Sequence, residues 1–359
     1  MKFTVNVNKF RNHVNSVIPV IGKSILPILN NVMISADGKN VRLCAANLAQ
    51  TITTGFECDS TPGCCTVPAR KLLSILSGLP QEEDVEFVAD DKKSVAELSV
   101  PSGKFTLLGA SVNDFPEIPT IPAVPQAVVP AETVTAMIEL CQNAVQKDNA
   151  RPQLAGMYLH FTSDTTCAVA TDGKRMAIYS VPANNDSNLG GYIIPTIALG
   201  MISKLTGDLQ FAVADNVLIV QGDNMTITTK LISGTYPNYS MVIPKEFKET
   251  VAVNSELLQN AVKLVSTVTD VNQSINLVFD ADNIRLSADN SSIGSAIQQI
   301  PVEHGTSTPL EVTINPVFLL NAIGNYKGDV TIKLNDPLWP LQVNTSEEAT
   351  TIIMPLRRK

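Results

Sequence analysis

The residues whose types could do chemistry are few and scattered. Thr171 and Asp172 sit together in the run ATDGKRMA and could mimic a catalytic pair. Glu82, Glu83 and Asp84 form an acidic run, a pattern more often a solvated turn than a metal site. Lys104 follows Gly103 in SGKF, but the run lacks the G-x-x-x-x-G-K-[ST] spacing that cradles phosphates. No G-x-G-x-x-G follows a strand pattern. The six cysteines are Cys44, Cys58, Cys64, Cys65, Cys141 and Cys167, with no C-x-x-C pair, and only His13, His160 and His304 accompany them. A structural zinc site needs ligands clustered at short spacings. Cys64 and Cys65 are adjacent, and neighbours on a strand point to opposite faces. The thiols therefore read as free and buried or half-buried. The expectation is no catalytic set, no metal and no cofactor. An enzyme is the rival class, since catalytic groups far apart in sequence can meet in space.

The chain has 359 residues, which suits two or three domains. Hydrophobic residues make up 44% and charged residues 17%, which supports several cores and argues against long disordered tails. No stretch reaches the ~18 apolar residues of a membrane span. The start, MKFTVNVNKF, alternates like a strand and has no apolar signal region, so a cytoplasmic location is expected. The net charge of −8 and pI near 5.0, taken alone, argue against nucleic acid.

One pattern occurs three times. VRLCAANLAQTITT (41–54), CAVATDGKRMAIYS (167–180) and IRLSADNSSIGSAIQQ (284–299) each read as strand, polar turn, strand. An amphipathic helix precedes each: 7–21 with Phe10, Val14, Val17, Ile18 and Ile21; 130–145 with Val134, Met137, Ile138, Cys141 and Val145; and 254–268 with Leu257, Leu258, Ala261, Val262 and Val265. Asn254 or Ser255 can cap the last. CTVPARKLLSILSGLP (65–80), YIIPTIALGMISKLTG (192–207) and VTINPVFLLNAIGNYKG (312–328) repeat a second theme. Each is a short strand, a Pro at the helix start, a Leu/Ile-rich helix and a Gly-containing stop, followed by alternating strands. The reading is an α+β chain of three repeated domains, each of two β-α-β-β-β units. The proline-rich seams DFPEIPTIPAVP (114–125) and YPNYSMVIPKEF (236–247) divide it into 1–122, 123–246 and 247–359.

On or beside the six helices lie Lys9, Arg11, Arg70, Lys71, Lys147, Lys204, Lys263 and Lys327, against the acids Glu132, Glu139 and Glu256. An acidic chain with basic helices suggests helices that face a polyanion while the sheets face solvent. Ordinary solvated helix faces are the plainer alternative; the threefold repetition favours the functional one.

The order and spacing of PILNNVMISADG (27–38), VPARKLLSILSGLP (67–80), NDFPEIP (113–119), ATDGKRMA (170–177), the YP-x-Y segment with its later IP (236–244) and IIMPLRRK (352–359) resemble the bacterial DNA polymerase III beta subunit, the sliding-clamp family. The resemblance covers the whole chain. It implies the DNA clamp fold, with helices lining a central hole and sheets outside, and two chains joined head to tail into a ring around duplex DNA. It implies a processivity factor in DNA replication that is not itself an enzyme. The implied partners are double-stranded DNA, a second copy of the chain, the DNA polymerase III alpha subunit, the clamp loader and other proteins with a short hydrophobic clamp-binding motif, with no membrane. No nucleotide-binding motif is visible, so ring opening falls to a separate loader.

Carried over by motif, the partner-peptide cleft takes Leu154, Thr171, Gly173, Lys174, Arg175, Met176, Pro237, Met241, Val242, Ile352, Met354, Pro355 and Leu356. Family members often carry His at 174 and a basic residue at 241, where this chain has Lys174 and Met241. The DNA-facing set is Lys9, Arg11, Lys23, Arg70, Lys71, Lys147, Arg151, Lys204, Lys263 and Lys327. At the dimer interface, Phe105 and Leu107 are expected to face Val265 and Val268. A monomeric peptide-binding scaffold that never encircles DNA is the second rival reading.

Overall fold

A computed structural model describes residues 1–22, 25–90, 94–118, 125–148, 151–183, 190–269 and 274–357. Lys23 and residues 119–124 of the first proline-rich seam lie outside them.

The described residues follow β-α-β-β-β six times. The first run is β1 (Lys2–Asn6), α1 (Val7–Val17), β2 (Asn31–Ala36), β3 (Asn40–Ala46) and β4 (Gln50–Glu57). After a two-residue strand, β5 (Ser60–Thr61), come β6 (Gly63–Pro68), α2 (Ala69–Gly78), β7 (Asp84–Asp90), β8 (Val95–Val100) and β9 (Gly103–Leu108). The third run is β10 (Ala127–Pro130), α3 (Ala131–Cys141), β11 (Gly156–Phe161), β12 (Thr165–Thr171) and β13 (Arg175–Pro182). The fourth is β14 (Gly190–Pro195), α4 (Thr196–Ile202), β15 (Asp208–Ala214), β16 (Val217–Gln221) and β17 (Met225–Lys230). The fifth is β18 (Glu249–Asn254), α5 (Ser255–Ser266), β19 (Ile275–Phe279), β20 (Asn283–Asn290) and β21 (Gly294–Pro301). The sixth is β22 (Leu310–Ile314), α6 (Pro316–Ile323), β23 (Asp329–Leu334), β24 (Leu341–Asn344) and β25 (Ala349–Ile353).

Side-chain caps start three of the helices. The Asn6 side chain accepts from the Lys9 amide at 3.2 Å, Asn254 from the Glu256 and Leu257 amides, and Asn315 from the Val317 amide. Pro316 occupies the first turn of α6, where a missing N–H costs nothing. Buried faces follow the 3.6-residue period: Phe10, Val14 and Val17 on α1; Val134, Met137, Ile138 and Cys141 on α3; Leu258, Ala261, Val262 and Val265 on α5. Leu257 departs from the expected face and is exposed. It lies one residue, about 100° of helix, before the buried Leu258.

Close contacts gather the chain into two compact units, Met1–Glu132 with Ile197–Leu231, and Thr133–Thr196 with Ile232–Lys359. The first unit holds a five-stranded sheet, β5-β1-β7-β8-β9, and an eight-stranded one, β10-β15-β16-β17-β4-β3-β2-β6. In it, Phe3 stacks on Phe87 at 5.0 Å between ring centres, and Phe10 meets Phe3 edge-on at 5.6 Å. The second unit holds an eight-stranded sheet, β14-β11-β12-β13-β25-β24-β23-β18, and a four-stranded one, β21-β20-β19-β22. Both eight-stranded sheets join strands of different sequence repeats. β17 pairs antiparallel with β4, Met225 opposite Thr54, and β13 with β25, Met176 opposite Ile352.

No disulfide joins the six cysteines: Cys44, Cys65, Cys141 and Cys167 are buried, and Cys58 and Cys64 half-buried. Burial pushes the Cys44 thiol up to about 11.

Candidate functional site

The β13–β25 pairing builds the site. β12 turns into β13 through Asp172, Gly173 and Lys174. Asp172 Oδ1 accepts the Lys174 amide at 2.9 Å and the Arg175 amide at 3.1 Å, and its Oδ2 pairs with Arg175 Nε at 3.1 Å. The Thr171 hydroxyl donates to the Arg175 carbonyl. Gly173 has φ +83°, a left-handed conformation that a side chain would strain. Thr171 and Asp172, the pair that could mimic a catalytic couple, are thus committed to holding a turn.

That turn borders an apolar cleft of about 430 Å³ in the second unit. Its lining brings together Leu154, Thr171, Gly173, Arg175, Met176, Pro237, Val242, Ile352 and Met354 from four separate stretches of sequence. The back wall is a small core of its own, in which Leu154, Val169, Met176, Ile178, Ile193, Tyr236 and Ile352 are buried against one another. Tyr158 stacks on Tyr236 at 4.5 Å, almost parallel. A Cβ at Gly191 would overlap the Tyr158 ring, so glycine there makes room for the stack. Burial raises the Tyr236 and Tyr239 hydroxyls above the usual phenol range, so both stay neutral.

Two arginines line the cleft, Arg151 at its exposed rim and Arg175, which is buried. Besides Asp172, the Arg175 guanidinium donates through Nη2 to the Asn143 carbonyl and lies 4.4 Å from the Phe318 ring centre. Nη1 is buried with no hydrogen-bond partner among the described residues.

Four of the residues expected in the cleft are placed elsewhere. Lys174 is exposed on the turn, and its carbonyl accepts the Met354 amide at 2.9 Å. Met241 faces an adjoining hollow. Pro355 and Leu356 are half-buried outside the lining, and the Leu356 amide donates to the Thr313 carbonyl of β22 at 2.8 Å. The tail thus straps down Met354 instead of adding a second anchor. Five lining residues lie outside the set that the sequence predicts: Arg151, Tyr236, Asn238, Tyr239 and Pro340. Three of them lie inside the YPNYSMV run that supplies Pro237, Met241 and Val242, and Arg151 is one of the basic residues expected to face DNA. Pro340 carried no local signal beyond the proline-bracketed PLWP.

The other expected residues divide. Lys71, Lys147, Lys204 and Lys327 are exposed. Lys9 Nζ donates to the Glu57 carbonyl at 3.2 Å and sits over Phe56, Arg11 bonds Asn8, Arg70 donates to the Ile21 carbonyl, and Lys263 reaches Gln259. Val265 is corrected: it is 0% exposed in the core of the second unit, because it lies on the inner face of α5. Val268 is half-buried against the same core. Phe105 is exposed and Leu107 half-buried on β9, an outer strand of its sheet.

Comparison with known proteins gives the class. Residues 1–119, 128–238 and 240–357 match the N-terminal, central and C-terminal domains of the DNA polymerase III beta subunit. The chain is 28% identical to the beta sliding clamp of Caulobacter vibrioides, over 99% of this chain and 100% of that one. It is 27% identical to that of Synechococcus elongatus, over 97% and 98%. Its structure superposes on the sliding clamp of Bartonella birtlesii bound to griselimycin with a TM-score of 0.90, at 27% identity and full coverage of both chains. The beta clamp of Helicobacter pylori bound to a DNA ligase peptide gives a TM-score of 0.89 at 21% identity, again over both whole chains. An α+β chain of six β-α-β-β-β runs with an apolar cleft is thus a three-domain clamp fold. The chain belongs to the DNA polymerase III beta subunit family, the beta sliding clamps.

Proposed function

We infer that the protein is a DNA sliding clamp that tethers the replicative polymerase and other clamp-binding proteins to DNA and so confers processivity. One observation carries this reading: four distant stretches of a clamp-family chain converge on one apolar cleft sized for a short peptide. Flexible Met side chains among Leu, Ile and Val suit a groove that accepts several partners.

On this reading the partners are the DNA polymerase III alpha subunit, the clamp loader and other proteins carrying a hydrophobic clamp-binding motif. The protein is a non-catalytic cytoplasmic subunit, and its sequence repeats define domains 1–122, 123–246 and 247–359. Two copies join head to tail into a homodimeric ring around duplex DNA. Basic residues on and beside the helices, Lys71, Lys147, Lys204 and Lys327 among them, attract the duplex without reading its bases. Among the described residues β9 pairs only with β8, and β21 only with β20, and both carry exposed apolar side chains. Pairing such edges between two chains would cover them and close the ring.

The test is primer extension on a primed circular template with polymerase III core and clamp loader. Adding the protein is expected to lengthen products from a single binding event at least tenfold. Product lengths that ignore its addition contradict the assignment.

A further inference from the structure

Beside the cleft lies a second hollow of about 470 Å³ that the cleft residues do not account for. Its floor and rim are Met241, Val242, Lys245, Trp339 and Pro340 among others, and Val242 and Pro340 line the cleft as well. The two hollows therefore adjoin across these two residues. Met241 is 80% exposed and Trp339 55% exposed, and Leu338, next to the tryptophan, is exposed too. An isolated exposed apolar side chain is ordinary; several contiguous ones, including an indole, mark a contact surface. Trp and Met are also enriched at the cores of interfaces. Lys245 is exposed and forms no ion pair with a described residue.

We propose that this ledge is an added subsite of the cleft, which seats one further bulky apolar side chain of the bound partner segment, with a carboxylate beside it facing Lys245. The proposal rests on the cleft being the partner-binding site. Its position against that cleft identifies the occupant, because a segment leaving the anchors across the shared Val242 and Pro340 meets Met241 and Trp339 next. Covering an exposed indole and thioether yields hydrophobic stabilisation that a segment confined to the cleft does not gain. The ledge then distinguishes partners by what flanks their shared anchors, a selectivity set outside the common motif.

Trp339 is the only tryptophan in the chain, so its emission reports on the ledge alone. The probes are a core peptide, Gln-Leu-Ser-Leu-Phe, and the same peptide extended by Gly-Leu-Asp at its C-terminus or Asp-Leu-Gly at its N-terminus, with Ser replacing the added Leu as controls. They are titrated onto the full chain by calorimetry and by tryptophan fluorescence. One extended peptide is expected to bind about tenfold tighter than the core, the scale of one apolar side chain partly buried, and to shift Trp339 emission to the blue. The Ser controls gain nothing. Trp339→Ala is expected to erase the gain while leaving the affinity for the core peptide unchanged, and Met241→Ser to reduce it. The proposal is overturned if neither extension gains affinity, or if the gain survives in both variants. It is equally overturned if Trp339→Ala weakens the core peptide, which would merge the ledge with the anchors. Failure of the core peptide to bind at all would instead sink the cleft reading, and this proposal with it.

Discussion

Deleting Met354 to Lys359 is expected to weaken binding of a Gln-Leu-x-Leu-Phe peptide by about a hundredfold and to leave the fold and its oligomeric state unchanged. Met354 lines the cleft, and two backbone bonds hold it there: its own amide to the Lys174 carbonyl and the Leu356 amide to the Thr313 carbonyl. The deletion removes the side chain and the strap together. Losing the burial of one methionine and part of its surroundings costs about 2–3 kcal/mol, on the order of a hundredfold in affinity. The fold survives because β25 ends at Ile353, so Ile352 stays paired with Met176. Met354→Asp keeps both backbone bonds and is expected to lose nearly as much. Fluorescence anisotropy checks the affinities and a thermal melt checks the fold. Unchanged binding by the truncated chain would remove the cleft from the account.

Ile297→Lys is expected to halve the molecular mass. The wild-type chain should scatter light as a particle of about 77 kDa, twice 38.5 kDa, and the variant as the 38.5 kDa monomer. Ile297 is 64% exposed on the outer strand β21, so a lysine there adds no buried charge to the folded chain. In a paired edge the same lysine would replace an apolar cross-strand contact with a charge and weaken the pairing. On the proposed pairing Leu108 of β9, 72% exposed, would join Phe105 and Leu107 as the counterpart. On the proposed pairing Ile297, not the buried Val265, would be the residue of this edge that meets the second chain. A variant that remains a dimer, or a wild-type chain that is monomeric at micromolar concentration, would contradict head-to-tail edge pairing.

The architecture was readable because its signal is local and repeated. Proline at the helix starts, Asn caps and the 3.6-residue spacing of Phe10, Val14 and Val17 each act within a few residues. What joins the repeats left no such mark. The pairing of β17 with β4, and of β13 with β25, links strands about 170 residues apart, and any exposed strand edge of matching register offers the same amides and carbonyls. The cleft was legible as a set of segments but less so residue by residue. Met354 and Leu356 are alternate residues of one run, and only Met354 lines the groove, because the tail leaves β25 and bonds to β22. Only its charge marks Arg151 in the sequence, and charge does not distinguish the rim of a cleft from a DNA-facing surface. Leu257 and Leu258 are both leucines, and only the rotation of α5 decides which of them is buried.

On the sliding-clamp reading the protein holds DNA by enclosing it. Surface attraction by lysines is screened by salt, whereas a closed ring leaves only by opening an interface or sliding off an end. The most direct measurement loads the protein onto nicked circular DNA with the clamp loader, raises the salt, and then linearises the DNA while following bound protein by gel filtration. Enclosure predicts that the protein stays on the circle at high salt and is lost rapidly once free ends exist. Equal retention on circular and linear DNA, or release from the circle by salt alone, would contradict it.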